Sequence, residues 1–162
     1  MKKKLFGIFG PILLAAVLLV LLFFSPFKIN SNDPKLIKAA SSSMAGNVLR
    51  GNSITKEALS TDHYVPFFGS SELSRISPFH PSVLAEKYDR GYTPFLMGAP
   101  GTQSLTQFMM MQSLGNELKD RKVVFIISPQ WFVKNGIKRD YFDAYYSPEQ
   151  TLTWLMNLKK VQ

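Results

Sequence analysis

The run Tyr64-Val65-Pro66-Phe67-Phe68-Gly69-Ser70-Ser71 decides the fold class, because a short apolar segment passes directly into a glycine–serine turn. This pattern is typical of a strand that feeds a turn. Two further apolar runs, at residues 94–97 and 123–127, also end in polar or glycine-rich turns. The run at 123–127 is continuous and rich in β-branched residues, so it predicts a strand buried on both faces of a parallel sheet.

Helical patterns separate these runs. His80-Pro81-Ser82 predicts a helix start, with His80 as the cap and the proline in the first turn. Thr102 is expected to cap a second helix, and Ser147-Pro148-Glu149-Gln150 reads as a capping box before a last one. The apolar positions that follow helical spacing, and that we expect to face inward, are Leu105, Phe108 and Met109 in the second helix and Leu152, Leu155 and Met156 in the last.

The order strand, helix, strand, helix, strand predicts an α/β domain with parallel strands and right-handed crossovers. In such sheets the functional site lies beyond the carboxyl ends of the strands. The three turns, at residues 69–71, 98–102 and 128–130, are therefore expected to meet at one edge of the sheet. We expect the chemistry of the protein at that edge.

The N-terminal residues differ in composition from the rest of the chain. Lys2, Lys3 and Lys4 precede a run at 5–24 of twenty residues with no charge and no amide. At about 1.5 Å per residue this run reaches about 30 Å, the hydrocarbon thickness of a bilayer. It is longer than the core of a typical signal peptide, so it favours an uncleaved transmembrane anchor over the alternative of a cleaved signal. The positive-inside rule places the tip at 1–4 in the cytoplasm and the main domain outside the cell.

Residues 25–62 are polar, and we interpret them as a stalk and lead-in whose short helices dock on a globular domain at 63–162. The 162 residues carry a formal net charge of +8 and no cysteine, which excludes a disulfide framework and a cysteine nucleophile. The histidines His63 and His80 lack a zinc-ligand spacing, so we expect neither a metal nor a cofactor. A nucleic-acid partner is not expected for a domain outside the cell.

Three blocks resemble those of SGNH/GDSL hydrolases: Gly69-Ser70-Ser71-Glu72, Gly98-Ala99-Pro100-Gly101-Thr102-Gln103 and Ser128-Pro129-Gln130-Trp131-Phe132. The stretches 68–75, 78–82, 101–104 and 125–132 more closely resemble the DltD family of D-alanyl transfer proteins, which act in teichoic-acid D-alanylation in Gram-positive bacteria. The resemblance covers essentially the whole chain. It implies an α/β, SGNH-hydrolase-like parallel sheet with flanking helices, preceded by one transmembrane helix.

The resemblance also implies residue roles. Ser71 matches the serine nucleophile, and Ser70, one position away, is the alternative. Gly101 and Gln130 match the donors to the oxyanion, and the residues expected beside the substrate are Glu72, Thr102 and Gln103. In this chemistry a serine hydroxyl attacks a D-alanyl ester or thioester carbonyl, and N–H groups stabilise the tetrahedral oxyanion.

The implied partners are a membrane acyltransferase of the D-alanylation system, lipoteichoic acid and the D-alanyl carrier protein. The superfamily's catalytic His, with an Asp three residues before it, has no match in this sequence. His80 is expected to cap a helix, and His63 precedes the first strand, at the end opposite the site. We therefore expect an incomplete sheet, as in an N-terminal portion of the family. A non-catalytic docking subunit and a carrier thioesterase remain alternative functions.

Overall fold

The computed structural model describes the backbone of residues 2–24 and 31–158, and the side chains from residue 9 onward within those ranges. The side chains of the predicted basic tip at 1–4, residues 25–30 of the predicted stalk and residues 159–162 lie outside this description. The chain divides into two compact units, residues 1–30 and residues 31–162.

The first unit contains one helix, α1 (Lys2–Phe23), with Pro11 inside it. The large apolar side chains that the structure describes between residues 9 and 24 are exposed. Among the described residues, no helix is long and apolar enough to cross a bilayer. The predicted anchor at 5–24 is therefore not confirmed.

The second unit is built on a parallel sheet of three strands: β1 (Tyr64–Gly69), β2 (Thr93–Gly98) and β3 (Val124–Phe125). The strand order is β2-β1-β3, so the first strand in sequence lies in the centre. Both partners of β1 run parallel to it. The predicted α/β class with a parallel sheet and flanking helices is thus confirmed.

Seven helices of the second unit surround this sheet within residues 31–158. Three precede the first strand, one connects β1 to β2, one connects β2 to β3, and two follow β3. Their bounds are α2 (Pro34–Ser41), α3 (Met44–Leu49), α4 (Ser53–Leu59), α5 (Pro81–Lys87), α6 (Ser104–Leu114), α7 (Arg139–Tyr145) and α8 (Pro148–Leu158). Short 3-10 helices lie at Ser71–Ser74, Gly115–Leu118 and Pro129–Trp131.

The two faces of the sheet carry separate apolar cores, because neighbouring residues of a strand point to opposite sides. Phe68 and Phe95 belong to the larger core, which also contains residues of α2, α3, α4 and α6. Phe67 and Leu96 belong to a smaller core with Leu73. Phe68 and Phe95 are fully buried. Burial of each phenylalanine side chain contributes about 1.5–3 kcal/mol to the free energy of unfolding.

The prediction for the third strand is wrong in length and in burial. The run at 123–127 forms strand structure only at Val124–Phe125, and these side chains are 36% and 38% exposed. The physical reason is position: β3 pairs with β1 on one side and lies at the edge of the sheet that the described residues form. A run of β-branched and aromatic residues predicts a strand, but it does not predict whether neighbouring elements cover that strand.

The inward faces of two helices were also predicted wrongly. Leu105 and Phe108 of α6 are exposed, and so are Leu152, Leu155 and Met156 of α8. The face of α6 that packs inward carries Thr106, Gln107, Met110, Ser113 and Leu114. Gln107 and Ser113 form buried hydrogen bonds, so the inward face of α6 is partly polar and differs from its apolar pattern.

The segment at 31–62 contains the three short helices α2, α3 and α4 and packs as part of the second unit. Ile37, Val48 and Leu59, one from each of its three helices, are buried in the larger core. The Asn47 amide donates to the carbonyl of Leu96 in β2 at 2.8 Å. Ala58 of α4 is also buried in this core, so the three short helices pack onto the sheet.

Candidate active site

The carboxyl ends of the three strands meet at one edge of the sheet. Gly69 at the end of β1 is in register with Gly98 at the end of β2, and Phe68 is in register with Phe125 of β3. The turns that follow the three strands are therefore neighbours in space. This confirms the prediction that the polar turns converge.

Two clefts open at this edge, and Ser71 borders both. We call the first, with a volume of about 550 Å³, the Glu72 cleft. The second, of about 560 Å³, we call the Lys138 cleft. Gln130 is the other residue that lines both. The Glu72 cleft is also lined by Arg75, Phe79, His80 and Ser128, and the Lys138 cleft by Ser70, Gly101, Thr102, Gln103, Trp131 and Tyr141. All seven residues predicted for the site thus lie around these two clefts.

The two adjacent serines have different environments. Ser70 is 2% exposed, and its hydroxyl donates to the carbonyl of Ala99 at 3.3 Å, which links the turns after β1 and β2. Ser71 is half-buried and begins the 3-10 helix Ser71–Ser74. Its side chain has no hydrogen-bonding partner among the described residues, and it lies between the two clefts. Ser71 is therefore the serine that a ligand in either cleft can reach.

Glu72 fixes the turn that carries these serines. Its carboxylate oxygen Oε1 accepts a hydrogen bond from the backbone N–H of Ser70 at 2.5 Å. This bond satisfies a donor at the start of the 3-10 helix, in the manner of a helix cap. The side chain is half-buried and lines the Glu72 cleft, directly beside Ser71.

The carbonyl of Gly69 is the point at which the turn after β1 is attached to the rest of the domain. It accepts hydrogen bonds from the Thr102 hydroxyl at 2.8 Å and from the Gln107 amide at 2.9 Å. Thr102 and Gln107 have no exposed surface. The Thr102 hydroxyl is therefore used in hydrogen bonds within the protein. The expected cap at Thr102 is wrong, because the residue at the capping position of α6 is Gln103.

Removing the Thr102 hydroxyl is expected to destabilise the second unit. Thr102→Val keeps the side-chain shape but leaves the backbone N–H of Ala99, which donates to Thr102 Oγ1 at 3.2 Å, without this acceptor. We expect a loss of about 1–3 kcal/mol in the free energy of unfolding. Thr102→Ser, which keeps the hydroxyl, should lose less than about 1 kcal/mol. Urea unfolding of the two variants would measure this, and equal losses would contradict the proposed role of the hydroxyl.

The two residues predicted to be oxyanion donors line clefts that Ser71 also borders. Gly101 has a φ of +99°, a left-handed conformation that favours glycine, and it lies in the Lys138 cleft. Gln130 is exposed on the 3-10 helix Pro129–Trp131, and the described residues offer its side chain no hydrogen bond. Gln103 is half-buried, also in the Lys138 cleft. Backbone and amide N–H groups are thus present near the serine, as an oxyanion site requires.

Neither histidine is placed to act as a base for Ser71. His80 caps α5 as predicted: its Nδ1 accepts from the N–H of Ser82 at 3.2 Å, so Nε2 carries the proton and donates to the carbonyl of Leu73 at 2.9 Å. His63 lies at the opposite end of the sheet, 2.9 Å from the hydroxyl of Thr93, the first residue of β2. Among the described residues, no cluster of acidic and histidine side chains could hold a metal ion.

The sequence did not indicate several residues of the site. Lys138 directly precedes α7 and Tyr141 lies within it. Both line the Lys138 cleft, and the turn signal before them, Asn135-Gly136, does not follow a predicted strand directly. The Lys138 ammonium lies 5.7 Å from the centre of the Tyr141 ring. Gln107 was missed as well, although a polar residue at an inward position of α6 is a signal that could have marked it.

The fold and the clefts define a parallel α/β protein with its candidate site at the carboxyl edge of the sheet. The chain belongs to the DltD family, because a family model described as DltD protein matches residues 41–162. Protein DltD of Lacticaseibacillus rhamnosus is 49% identical, over 91% of this chain and 34% of that protein. Protein DltD of Bacillus subtilis (strain 168) is 36% identical, over 97% of this chain and 40% of that protein.

A third relative, Protein DltD of Staphylococcus aureus (strain NCTC 8325 / PS 47), is 32% identical over 88% of this chain and 37% of that protein. The chain therefore spans between about a third and two fifths of the length of these relatives. The family match begins at residue 41, within α2, so it includes α3, α4 and every strand of the sheet.

Proposed function

We propose that this protein acts in the D-alanylation of lipoteichoic acid as a serine acyltransferase of the SGNH-hydrolase type, with Ser71 as the nucleophile. The observation that supports this most is the position of Ser71. It lies at the carboxyl edge of the sheet between two clefts, whereas the hydroxyl of Ser70 is buried and bonded to Ala99. The test is D-alanine transfer by Ser71→Ala compared with Ser70→Ala.

The proposed reaction has two steps. The Ser71 hydroxyl attacks the carbonyl carbon of a D-alanyl ester or thioester, loses its proton to a general base and forms a D-alanyl ester as the original alcohol or thiol leaves with that proton. A hydroxyl of lipoteichoic acid then attacks this ester, transfers its proton through the same base and releases Ser71. The backbone N–H of Gly101 and the amide of Gln130 are the proposed donors to the oxyanion in both steps.

The general base of the proposed reaction is a group other than the two histidines of this chain. Both ring nitrogens of His80 are occupied, and His63 lies at the other end of the strands. A serine without a base is a weak nucleophile. We therefore assign catalysis to the complete D-alanylation assembly, in which this chain supplies the nucleophile and the clefts. The membrane acyltransferase and the D-alanyl carrier protein are the proposed partners on the donor side.

We also propose that residues 5–24 anchor the chain in the cell membrane, with the second unit outside the cell. The apolar run of twenty residues after Lys2, Lys3 and Lys4 supports this proposal. We expect the chain to stay in the membrane pellet after alkaline carbonate extraction, and a variant without residues 2–24 to be released from it. External protease should digest the chain in intact protoplasts. Release of the full chain by carbonate would contradict the anchor.

A further inference from the structure

The two clefts beside Ser71 differ in charge. The Glu72 cleft contains one carboxylate, Glu72, and one guanidinium, Arg75. Lys138 is the one formally charged side chain among the described residues that line the second cleft. In the first cleft the Glu72 carboxylate can bind a positive group next to the reacting carbonyl of a ligand, and in the second Lys138 can attract a polyanion.

The Glu72 carboxylate has one oxygen free to bind such a positive group. Oε1 accepts from the N–H of Ser70, but Oε2 has no hydrogen bond or ion pair with any described residue. The ion pairs within the described part of the chain are Arg121–Asp62 and Arg139–Asp143, so Arg75 forms no direct ion pair with this carboxylate. Glu72 therefore keeps an unpaired acceptor, partly shielded from solvent, beside the serine.

The chemistry of an aminoacyl donor matches this arrangement. In an alanyl ester the ammonium nitrogen is bonded to the carbon next to the carbonyl, so a group that binds it must lie close to the nucleophile. Glu72 satisfies this condition, because it directly follows Ser71 in the chain. In acyl transfer the leaving group and the acceptor occupy the same side of the carbonyl, opposite the acyl group. If the acyl group lies in the Glu72 cleft, the leaving group and the acceptor therefore extend into the Lys138 cleft.

We propose that Glu72 binds the α-ammonium of the aminoacyl donor, and that the Lys138 cleft receives the polyanionic acceptor. This inference rests on the proposed function of Ser71 as the nucleophile. Glu72 thus selects an aminoacyl group over an uncharged acyl group of the same size. Lys138, held beside the ring of Tyr141, attracts the phosphates of the acceptor chain.

The donor half is tested with Glu72→Gln, because the glutamine amide oxygen can still accept from the N–H of Ser70. Membranes from cells that express the full chain with the D-alanylation system are given D-alanyl or propionyl thioesters of N-acetylcysteamine, which differ only in the amino group. The rate of acyl attachment to the chain is measured after acid quenching. We expect Glu72→Gln to slow D-alanyl attachment by about 10- to 100-fold and propionyl attachment by less than about twofold.

Arg75→Gln is the matched control, since it removes the other charge of the same cleft and should not lower the preference for D-alanyl over propionyl. Equal slowing of both donors by Glu72→Gln would show that Glu72 only holds the turn, and unchanged rates would show that it does not contact the donor. Either result overturns the proposal. Attachment of both donors to Ser71→Ala would instead refute the proposed nucleophile, and the inference with it.

The acceptor half is tested with Lys138→Gln. We expect transfer from the acylated chain to a polyglycerol phosphate to fall by about two- to fivefold at low salt, the effect of one exposed charge pair. Transfer to glycerol should not change, and high salt should remove the difference. Lys134→Gln, an exposed lysine that lines neither cleft, is the matched control. An equal loss with glycerol, or an equal effect of Lys134→Gln, would overturn this assignment.

Discussion

D-alanine transfer to lipoteichoic acid is expected to fall by at least about 10⁴-fold when Ser71 is replaced by alanine, which is the scale of loss for a serine nucleophile. The reason is chemical, because no covalent D-alanyl intermediate can form without the hydroxyl. The turn itself should survive, since the Ser71 side chain has no hydrogen-bonding partner among the described residues. Transfer of labelled D-alanine in membranes that carry the variant at its own locus measures the effect.

Ser70→Ala is the matched control, one residue away. It removes a buried hydrogen bond to Ala99 that is 3.3 Å long and leaves the Ala99 carbonyl with its bond from the backbone N–H of Thr102 at 2.9 Å. We expect the free energy of unfolding to fall by about 0.5–1.5 kcal/mol and D-alanine transfer to fall by less than about tenfold. If Ser70→Ala abolished transfer and Ser71→Ala did not, the nucleophile would be Ser70. If neither variant lost transfer, the chain would act as a docking subunit.

Gly98→Ala is expected to destabilise the second unit by about 3 kcal/mol, at the upper end of the cost of overpacking. A Cβ at this position would overlap the backbone carbonyl of Gly69, which cannot move aside as a flexible side chain can. The same carbonyl holds the hydrogen bonds of Thr102 and Gln107. The added methyl group should therefore separate the turns that form the two clefts. Urea unfolding of the full chain in detergent measures the loss.

Gly91→Ala gives the comparison for Gly98→Ala. Its φ is +72°, but a Cβ there meets no atom within 4 Å. Only the left-handed conformation opposes alanine at this position, at a cost of about 1–2 kcal/mol. A loss for Gly98→Ala no greater than that for Gly91→Ala would show that the close approach of the two strand ends is not needed for stability.

The part of the fold that sequence could predict is the part that depends on local signals. The strands β1 and β2 were expected within one residue of their bounds, because apolar runs that end in glycine turns are local patterns. The cap at His80 was expected because a proline in the first turn of a helix marks its start. The meeting of the three turns followed from parallel pairing alone.

The part that sequence could not predict depends on contacts between distant residues. Half of the capping box forms, because the Ser147 hydroxyl accepts from the backbone N–H of Gln150 at 3.3 Å. The side-chain amide of Gln150 does not complete it, and donates instead to the carbonyls of Val48 and Arg50 at 2.9 Å, about a hundred residues away in sequence. Such bonds anchor α8 by a polar residue and leave Leu152, Leu155 and Met156 outside. Apolar periodicity alone cannot reveal that a buried helix face is polar.

The same limit applies to the candidate site. The resemblance favours Ser71 and leaves Ser70 as the alternative, because the two serines are adjacent in one turn. The choice depends on burial, and burial is set by the approach of Ala99 to Ser70 across the sheet edge. Likewise, Thr102 was expected beside the substrate, whereas its hydroxyl bonds to Gly69 and Ala99 inside the protein.

The most direct test of the central claim is to find the acyl group itself. Membranes that carry the full chain and the D-alanylation system would be supplied with labelled D-alanine and ATP, quenched in acid and digested with a protease. Mass spectrometry of the peptides that contain the turn after β1 would then locate the label. We predict an alkali-labile D-alanyl ester on Ser71. A D-alanyl ester on another residue of the chain, or none on the chain while lipoteichoic acid is labelled, would contradict the account.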